Sequence, residues 1–253
     1  MSTPKLSTPE MIVRTIQKMI QRGKFKPGQR LPGQRELAEH LNVSRASLRE
    51  ALSTLEALDL VRTSAGRGTY IHDRGQAQPE PILDWRFADQ YALQEVYEFR
   101  YFTETAAARL AALQIEDREI ARLKEHHARL ARALEQEDVM VSTSYDYEFH
   151  RYIMLCSRNR LFVELYDKFQ KVFHETQMLP YARDERLVEA VQEHSRIVDA
   201  IARHDGESAA QFLGEHLLNA TERIGIRMDR VIGAQPAEAA GWLAGLGEAR
   251  RPA

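Results

Sequence analysis

The sequence predicts a mainly α-helical protein, with an N-terminal winged helix-turn-helix followed by a C-terminal antiparallel all-α bundle of six or seven helices. Residues 37–58 carry apolar residues at helical spacing on both sides of a short turn, and a glycine-containing hairpin pattern follows at 60–71. From about 90 to 231 the helical spacing continues without convincing strand alternation. The charge divides at the same place. Residues 1–75 hold 13 basic and 7 acidic residues and so carry a charge of 13 − 7 = +6, whereas the whole chain has a net charge of −2.

Composition limits the class of protein. The 253 residues suffice for two ordinary domains, and 43% of them are apolar. A basic first domain suits a polyanionic partner such as double-stranded DNA. The only cysteine, Cys156, excludes an internal disulfide and is predicted to be a small buried apolar residue. No apolar leader and no run of about 20 apolar residues is present, so we expect a cytoplasmic protein without membrane contact.

The helix-turn-helix begins behind a first helix, predicted over about 8–22 and ended by Gly23. Its own first helix is short and ends near residue 41, where Asn42 begins the turn. Ser44 can cap the next helix, whose inward face is a stripe of four leucines, Leu48, Leu52, Leu55 and Leu58. The residues left outward near its start are Ser44, Arg45, Ser47 and Arg49. Arginine can fork onto guanine or phosphate and serine can reach either, so this surface suits the DNA major groove.

A β-hairpin is predicted after this helix, with strands at 60–63 and 69–71 and a turn that contains Gly66 and Gly68. Arg67 lies at its tip, where it can enter a minor groove or touch a phosphate. The alternative is a helical hairpin with a solvated basic face. The agreement of helix, turn, cap and Gly-Arg-Gly hairpin favours the winged helix.

The remaining chain is assigned by composition and periodicity. Helices are predicted over about 139–155, over about 159–178 until Pro180 interrupts, over about 186–203 and over about 207–230. The domain boundaries that we assign are 1–73 for the winged helix-turn-helix, 74–89 for a linker, 90–231 for the helical bundle and 232–253 for a flexible tail.

Four residues of the bundle suggest a metal site. Asp146 and His150 are four residues apart and share a helix face, and His194 and His216 are on the last two predicted helices. Three imidazoles and one carboxylate suit a divalent transition metal with open positions for a ligand. A histidine inside a bundle is more often a hydrogen-bonded core residue, so the spacing leaves both interpretations open.

Residues 8–71 contain a series of short motifs: Gly23-Lys24-Phe25-Lys26-Pro27-Gly28, Leu31-Pro32, Arg35-Glu36-Leu37-Ala38, Val43-Ser44-Arg45, Leu48-Arg49-Glu50-Ala51-Leu52, Leu55-Glu56 and Gly66-Arg67-Gly68-Thr69. Together they resemble the winged helix of the GntR family of bacterial transcription regulators. The resemblance implies that DNA is contacted by Arg35, Ser44, Arg45, Ser47, Arg49, Gly66, Arg67 and Gly68. Asn42 and Asp59 depart from the pattern, because each stands where the family commonly has a glycine.

The second part contains the motifs Asp146-x-x-Phe149-His150, Ser157-x-Asn159, Glu193-His194 and His216. These motifs resemble those of the metal-binding FCD effector domain of the FadR subfamily. The resemblance implies that Asp146, His150, His194 and His216 hold zinc, with nickel or manganese as alternatives, and that the effector is a sugar acid, hydroxy acid or dicarboxylate. It also implies that Arg100 helps to hold the effector carboxylate; the alternative is an ion pair with Glu104. Asn219, one turn after His216, is a further candidate effector contact.

These observations together predict a homodimeric transcription regulator that is not an enzyme. We expect a repressor that reads a pseudo-palindromic operator and responds to a small carboxylate at the metal site. Two alternatives stay open: a helical metal-dependent enzyme acting on a small organic acid, and an architectural DNA-binding protein whose histidines are structural.

Overall fold

The computed structural model describes residues 6–64, 66–72, 85, 87–183 and 187–228. The predicted linker lies largely, and the predicted tail wholly, outside the described residues. The helices and strands are, in chain order, α1 Thr8–Gln21, α2 Gln34–Leu41, α3 Arg45–Ala57, β1 Val61–Ser64, β2 Gly68–Ile71, α4 Leu93–Gln114, α5 Asp117–Glu135, α6 Val139–Cys156, α7 Arg160–Lys168, α8 Gln170–Arg183, α9 Leu187–Ala202 and α10 Gly206–Arg223. The fold class is the predicted one, a small winged domain and a helical bundle.

The winged domain has its core between α1 and α3. Ser7 and Glu10 form a capping box that starts α1, which buries Ile12, Val13 and Ile16. The four predicted leucines are all buried in the same cluster, three within α3 and Leu58 at its C-terminal cap. Asn42 and Asp59 both adopt left-handed backbone conformations, with φ of 53° and 56°, where the family commonly uses glycine.

The wing is a β-hairpin with an additional edge. β1 pairs antiparallel with β2, and Ser64 and Gly68 already belong to the strands, so the turn is shorter than predicted. The Leu31 N–H donates to Thr69 O, and the Ile71 N–H donates to Gln29 O, each at 2.8 Å. The segment that contains Gln29 and Leu31 therefore extends the sheet, which the sequence pattern did not indicate.

Seven helices, α4 to α10, form the described part of the bundle. The single helix predicted over 159–178 is wrong, because Phe169 separates α7 from α8. The predicted interruption at Pro180 is also wrong, since Pro180 lies inside α8. A proline leaves the carbonyl four residues earlier without its helical partner. Here that carbonyl, Thr176 O, accepts a hydrogen bond of 2.8 Å from the Tyr97 hydroxyl of α4.

The two domains meet where α1 crosses the start of α6. The buried Asp138 carboxylate caps α6 through the Val141 N–H and pairs with Arg14 of α1 at 2.7 Å. The side-chain amides of Gln17 and Gln21 both donate to Glu137 O at 2.9 Å. The helix that carries Asp146 and His150 is thus attached at its first turn to the winged domain. None of the described helices is long and apolar enough to cross a bilayer.

Candidate metal centre and nucleic-acid interface

Three histidine rings and one carboxylate meet inside the bundle. Asp146 and His150 come from α6, one turn apart; His194 comes from α9 and His216 from α10. The ligand atoms of the three histidines lie within 4.8 Å of one another. Asp146 Oδ1 is 3.6 Å from His150 Nε2 and 3.4 Å from His194 Nε2. The Nε2 atoms of His194 and His216 are 3.1 Å apart. The structure therefore brings the four predicted residues together.

Two glutamates lie behind these histidines. Glu104 Oε2 is 2.6 Å from His150 Nδ1, and Glu193 Oε2 accepts a hydrogen bond of 2.8 Å from His216 Nδ1. Burial raises the pKa of the Glu104 carboxyl, but Arg100 and His150 outweigh it and hold that pKa at about 2. Burial likewise raises the pKa of the Glu193 carboxyl, but the contacts with His216, Arg223 and Asn219 outweigh burial and hold that pKa at about 2. At His216 this hydrogen bond on Nδ1 fixes the tautomer that leaves Nε2 free to bind a metal, and at His150 the close contact with Glu104 lies on the same ring nitrogen.

The donor set fits a divalent transition metal. Asp146 Oδ1 and His150 Nε2 are buried and have no hydrogen-bond partner among the described residues. In a purely structural cluster, buried polar atoms of this kind find such partners. Burial lowers the pKa of His194 well below its usual value, and His216 and His150 add to the effect, so the imidazole is neutral. Neutral imidazoles with one carboxylate leave coordination positions open on zinc, nickel or manganese.

Arg100 lies beside this cluster in a buried ion pair. Its Nε donates to Glu104 Oε1 at 2.7 Å, and its Nη1 donates to Thr176 Oγ1 at 3.3 Å. The side chain is only 2% exposed, so the pair is not a surface contact. The ion pair with Glu104, which the sequence offered as the alternative role of Arg100, is thus present. Glu104 also bridges Arg100 to His150. A guanidinium has five N–H donors, so these two contacts leave donors for an effector. The predicted role of Arg100 stays a prediction.

Polar side chains from α8 and α10 complete the surroundings. Asn219 donates to Glu193 Oε1 at 2.8 Å, so it is tied to the same carboxylate that holds His216. The Tyr181 hydroxyl bonds Asp146, and burial followed by that carboxylate raises its pKa. These contacts add hydrogen-bonding groups to the surroundings of the cluster.

Sequence reasoning missed Arg223 and gave Glu104 and Glu193 no part in holding a histidine, although Glu193 was named in a motif. Glu104 was considered only as an ion-pair partner of Arg100, yet it also contacts His150. Glu193 directly precedes His194, but its side chain serves His216 on another helix. Arg223 follows His216 by seven residues, which is two helical turns and hence the same face of α10. That spacing is the one signal that could have found it.

The outward surface of α3 and the wing form the candidate nucleic-acid interface. Ser44 caps α3 by accepting the Ser47 N–H at 3.0 Å, as predicted, and Arg45 and Arg49 are exposed beside it. The Arg35 side chain is 84% exposed and forms an ion pair of 3.1 Å with Glu39, one turn along α2. An exposed guanidinium in this setting can exchange such a partner for phosphate at little cost. The DNA contacts themselves stay predictions.

Gly68 has a geometric reason to be glycine. Its φ is +109°, and a Cβ at this position would lie 2.7 Å from Arg30 Nε. Gly66 also has a positive φ of 72° but has open space around it. The exposed Arg67 lies between these two glycines, at the tip of the wing.

Comparison with known proteins identifies the family. The model described as bacterial regulatory proteins, gntR family, matches residues 8–71, and the FCD domain model matches residues 95–219. The uncharacterized HTH-type transcriptional regulator YcbG of Bacillus subtilis (strain 168) is 30% identical over 227 residues, covering 87% of this chain and 91% of that protein. The Uxu operon transcriptional regulator of Escherichia coli (strain K12) is 29% identical over 214 residues, covering 83% of each chain. The galactonate operon transcriptional repressor of the same strain is 26% identical over 228 residues, covering 87% of this chain and 97% of that protein. The chain therefore belongs to the GntR family of bacterial transcription regulators, with an FCD domain behind its winged helix, and the enzyme alternative is set aside.

Proposed function

We propose that this regulator is a repressor whose affinity for operator DNA is controlled by a small carboxylate bound at a metal ion in the FCD domain. The observation that carries the proposal is the buried cluster itself, in which Glu104 and Glu193 lie against the Nδ1 atoms of His150 and His216, and the ligand atoms of the three histidines lie within 4.8 Å of one another. Asp146, His150, His194 and His216 would hold the metal, zinc first and nickel or manganese as alternatives. The galactonate operon repressor among the relatives supports both a repressor and a sugar-acid effector.

The effector carboxylate would complete the coordination of the metal. Arg100, with donors left over from Glu104 and Thr176, would hold the carboxylate from α4. Asn219 would contact the effector from α10, next to Glu193. A bound metal supplies a positive charge that makes a carboxylate the preferred ligand class at this site.

The contact between α1 and α6 offers a route from effector to DNA. Asp146 and His150 lie on α6, and Asp138 at the start of the same helix holds Arg14 of the winged domain. A ligand that binds one position of α6 better than another shifts the population toward that position. The winged domain would follow through Asp138, which changes the spacing of two copies of it on an operator.

A homodimer would present the two winged domains. One winged helix reads one half-site, and a pseudo-palindromic operator therefore needs a second copy of this chain. α4 carries a stripe of exposed apolar residues at helical spacing, namely Phe99, Phe102, Leu110 and Leu113, which are 38%, 58%, 38% and 64% exposed. We place the second copy on this stripe, because apolar surface of this kind is covered in stable dimers.

Size-exclusion chromatography with light scattering is expected to give about twice the chain mass of 29.1 kDa. Phe102→Asp should give the single-chain mass, because a charge would be buried in the interface. Leu161→Asp serves as the matched control, since Leu161 is 59% exposed but lies on α7 rather than on α4, and this variant should remain dimeric. A dimeric Phe102→Asp protein would place the interface elsewhere.

Thermal unfolding with a panel of acids tests the effector proposal. D-Galactonate, D-gluconate, lactate and succinate would each be added to metal-loaded and to chelator-treated protein. An acid present at about 100 times its Kd should raise Tm by about 5–10 °C, because it binds only the native state. Chelation should remove the rise. No rise with any acid would overturn the effector proposal, and a rise that survives complete metal removal would overturn the metal's part in it.

A further inference from the structure

An exposed arginine lies on the outer face of the wing sheet. Arg30 forms an isolated antiparallel bridge with Tyr70 of β2. Leu31 follows Arg30 and Thr69 precedes Tyr70, and both are buried. Because side chains alternate between the two faces of a sheet, Arg30 and Tyr70 point outward. Arg30 is exposed and has no carboxylate partner within the described part of the chain, so its charge is available to an anionic partner.

The Arg30 side chain runs toward the tip of the wing. Its guanidinium lies over Gly68, where an added Cβ would be 2.7 Å from Arg30 Nε and 3.1 Å from Arg30 Nη2. Gly68 directly follows Arg67, so the guanidinium lies closer to the tip than the bridge with Tyr70 does. The Tyr70 hydroxyl reaches in the same direction and donates to Arg67 O at 3.2 Å. The missing side chain of Gly68 thus makes room for a second arginine beside Arg67.

The segment that leads into this edge of the sheet is basic. Residues 22–35 contain five basic residues and no acidic one, and Lys24 and Lys26 are exposed like Arg30. Basic charge without acidic neighbours attracts a polyanion and gains free energy when the bound counterions of that polyanion are released. Arg30 and Arg67 belong to the same wing, next to the helix α3 that is predicted to read the operator. Double-stranded DNA is therefore the polyanion that this surface fits.

We propose that Arg30 is a further DNA-binding residue, whose guanidinium donates to a backbone phosphate beside the groove that Arg67 is predicted to enter. A planar fork of N–H donors matches two phosphate oxygens. Such a contact holds the wing in position without reading bases, so it adds affinity for any duplex. Arg30 lies between two of the motifs shared with the family and belongs to neither. The inference rests on the operator binding in the proposed function and needs neither the metal nor the effector.

Fluorescence anisotropy between 50 and 200 mM salt tests the inference, with a duplex that the wild-type protein selects from random sequences and with a scrambled duplex. Arg30→Met keeps an unbranched stem over Gly68 but removes the charge, and Arg30→Lys keeps the charge. Arg30→Met should weaken both duplexes alike, by about 10-fold at the lowest salt, and should reduce the slope of log K against log salt by about 1 for each bound chain. Arg30→Lys should stay within about 3-fold of wild type, because its ammonium can still reach a phosphate. Arg118→Met is the matched control and should change neither quantity, because Arg118 is 80% exposed on α5 of the bundle.

The salt slope and Tm separate this role from a structural one. Arg30→Met should keep the wild-type Tm within about 2 °C, since the side chain is exposed. Wild-type affinity and salt slope in Arg30→Met would overturn the inference. A loss that is equal in Arg30→Met and Arg30→Lys at unchanged slope would overturn it too, because Arg30 would then only shape the wing. A loss confined to the selected duplex would indicate a base contact and contradict the phosphate assignment. Wild-type protein that selects no duplex at all would overturn the operator binding in the proposed function instead.

Discussion

Arg45→Ala is expected to abolish specific operator binding while leaving the fold intact. Arg45 is the first residue of α3, exposed and next to the Ser44 cap, where a guanidinium can fork onto a guanine or a phosphate. One such contact is worth about 1–3 kcal/mol, and a dimer loses two of them, so affinity should fall by about 30-fold to 10⁴-fold. Fluorescence anisotropy would measure this affinity. The DNA duplex for the measurement would first be selected by the wild-type protein from a pool of random sequences.

The control for Arg45→Ala removes an arginine from the other domain. The Arg118 side chain is 80% exposed on α5 and pairs with Glu116, so Arg118→Ala should leave operator affinity within about 2-fold. Both variants should keep the wild-type Tm within about 2 °C, since neither side chain is buried. An Arg45→Ala protein that retains operator affinity would show that α3 does not read the operator.

The winged domain was largely predictable because its signals are local. The leucine stripe of α3, the Ser44 cap and the turn at Asn42 each depend on neighbours within a few residues, and all appear in the structure. The edge formed by Gln29 and Leu31 was not predictable in this way, because its partners are Thr69 and Ile71, about forty residues later in the chain. Pairing between distant segments leaves no periodic pattern in either one.

The bundle shows the same limit more strongly. Spacing placed Asp146 and His150 on one helix face, but only tertiary packing brings His194 and His216 to them. Pro180 predicted a break that does not occur, because the Tyr97 hydroxyl takes the place of the missing N–H at Thr176 O. Glu193 was passed over because its partners, His216, Asn219 and Arg223, all lie on α10 rather than on its own helix.

His194→Ala is expected to remove most of the bound metal and the whole response to the effector acid. His194 Nε2 lies 3.4 Å from Asp146 Oδ1 and 3.1 Å from His216 Nε2, so its loss opens the centre of the site. Removing even an outer partner of a metal ligand costs about 10- to 100-fold in affinity, and removing a ligand should cost more. Metal content by mass spectrometry and Tm with D-galactonate are the measurements. Operator affinity without effector should change less than about 3-fold, because the winged domain is untouched.

Loss of packing has to be separated from loss of a ligand in this variant. The His194 ring is fully buried and stacks on Phe149 at 4.5 Å, so alanine also leaves a cavity and should lower Tm. His194→Gln keeps more of the volume but removes the imidazole, and it should lose metal with a smaller fall in Tm. His126→Ala is the matched control, because His126 is half-buried on α5 outside the cluster and should keep full metal content. Full metal occupancy in both His194 variants would mean that the cluster is a structural one, and the regulator's signal would then have to enter elsewhere.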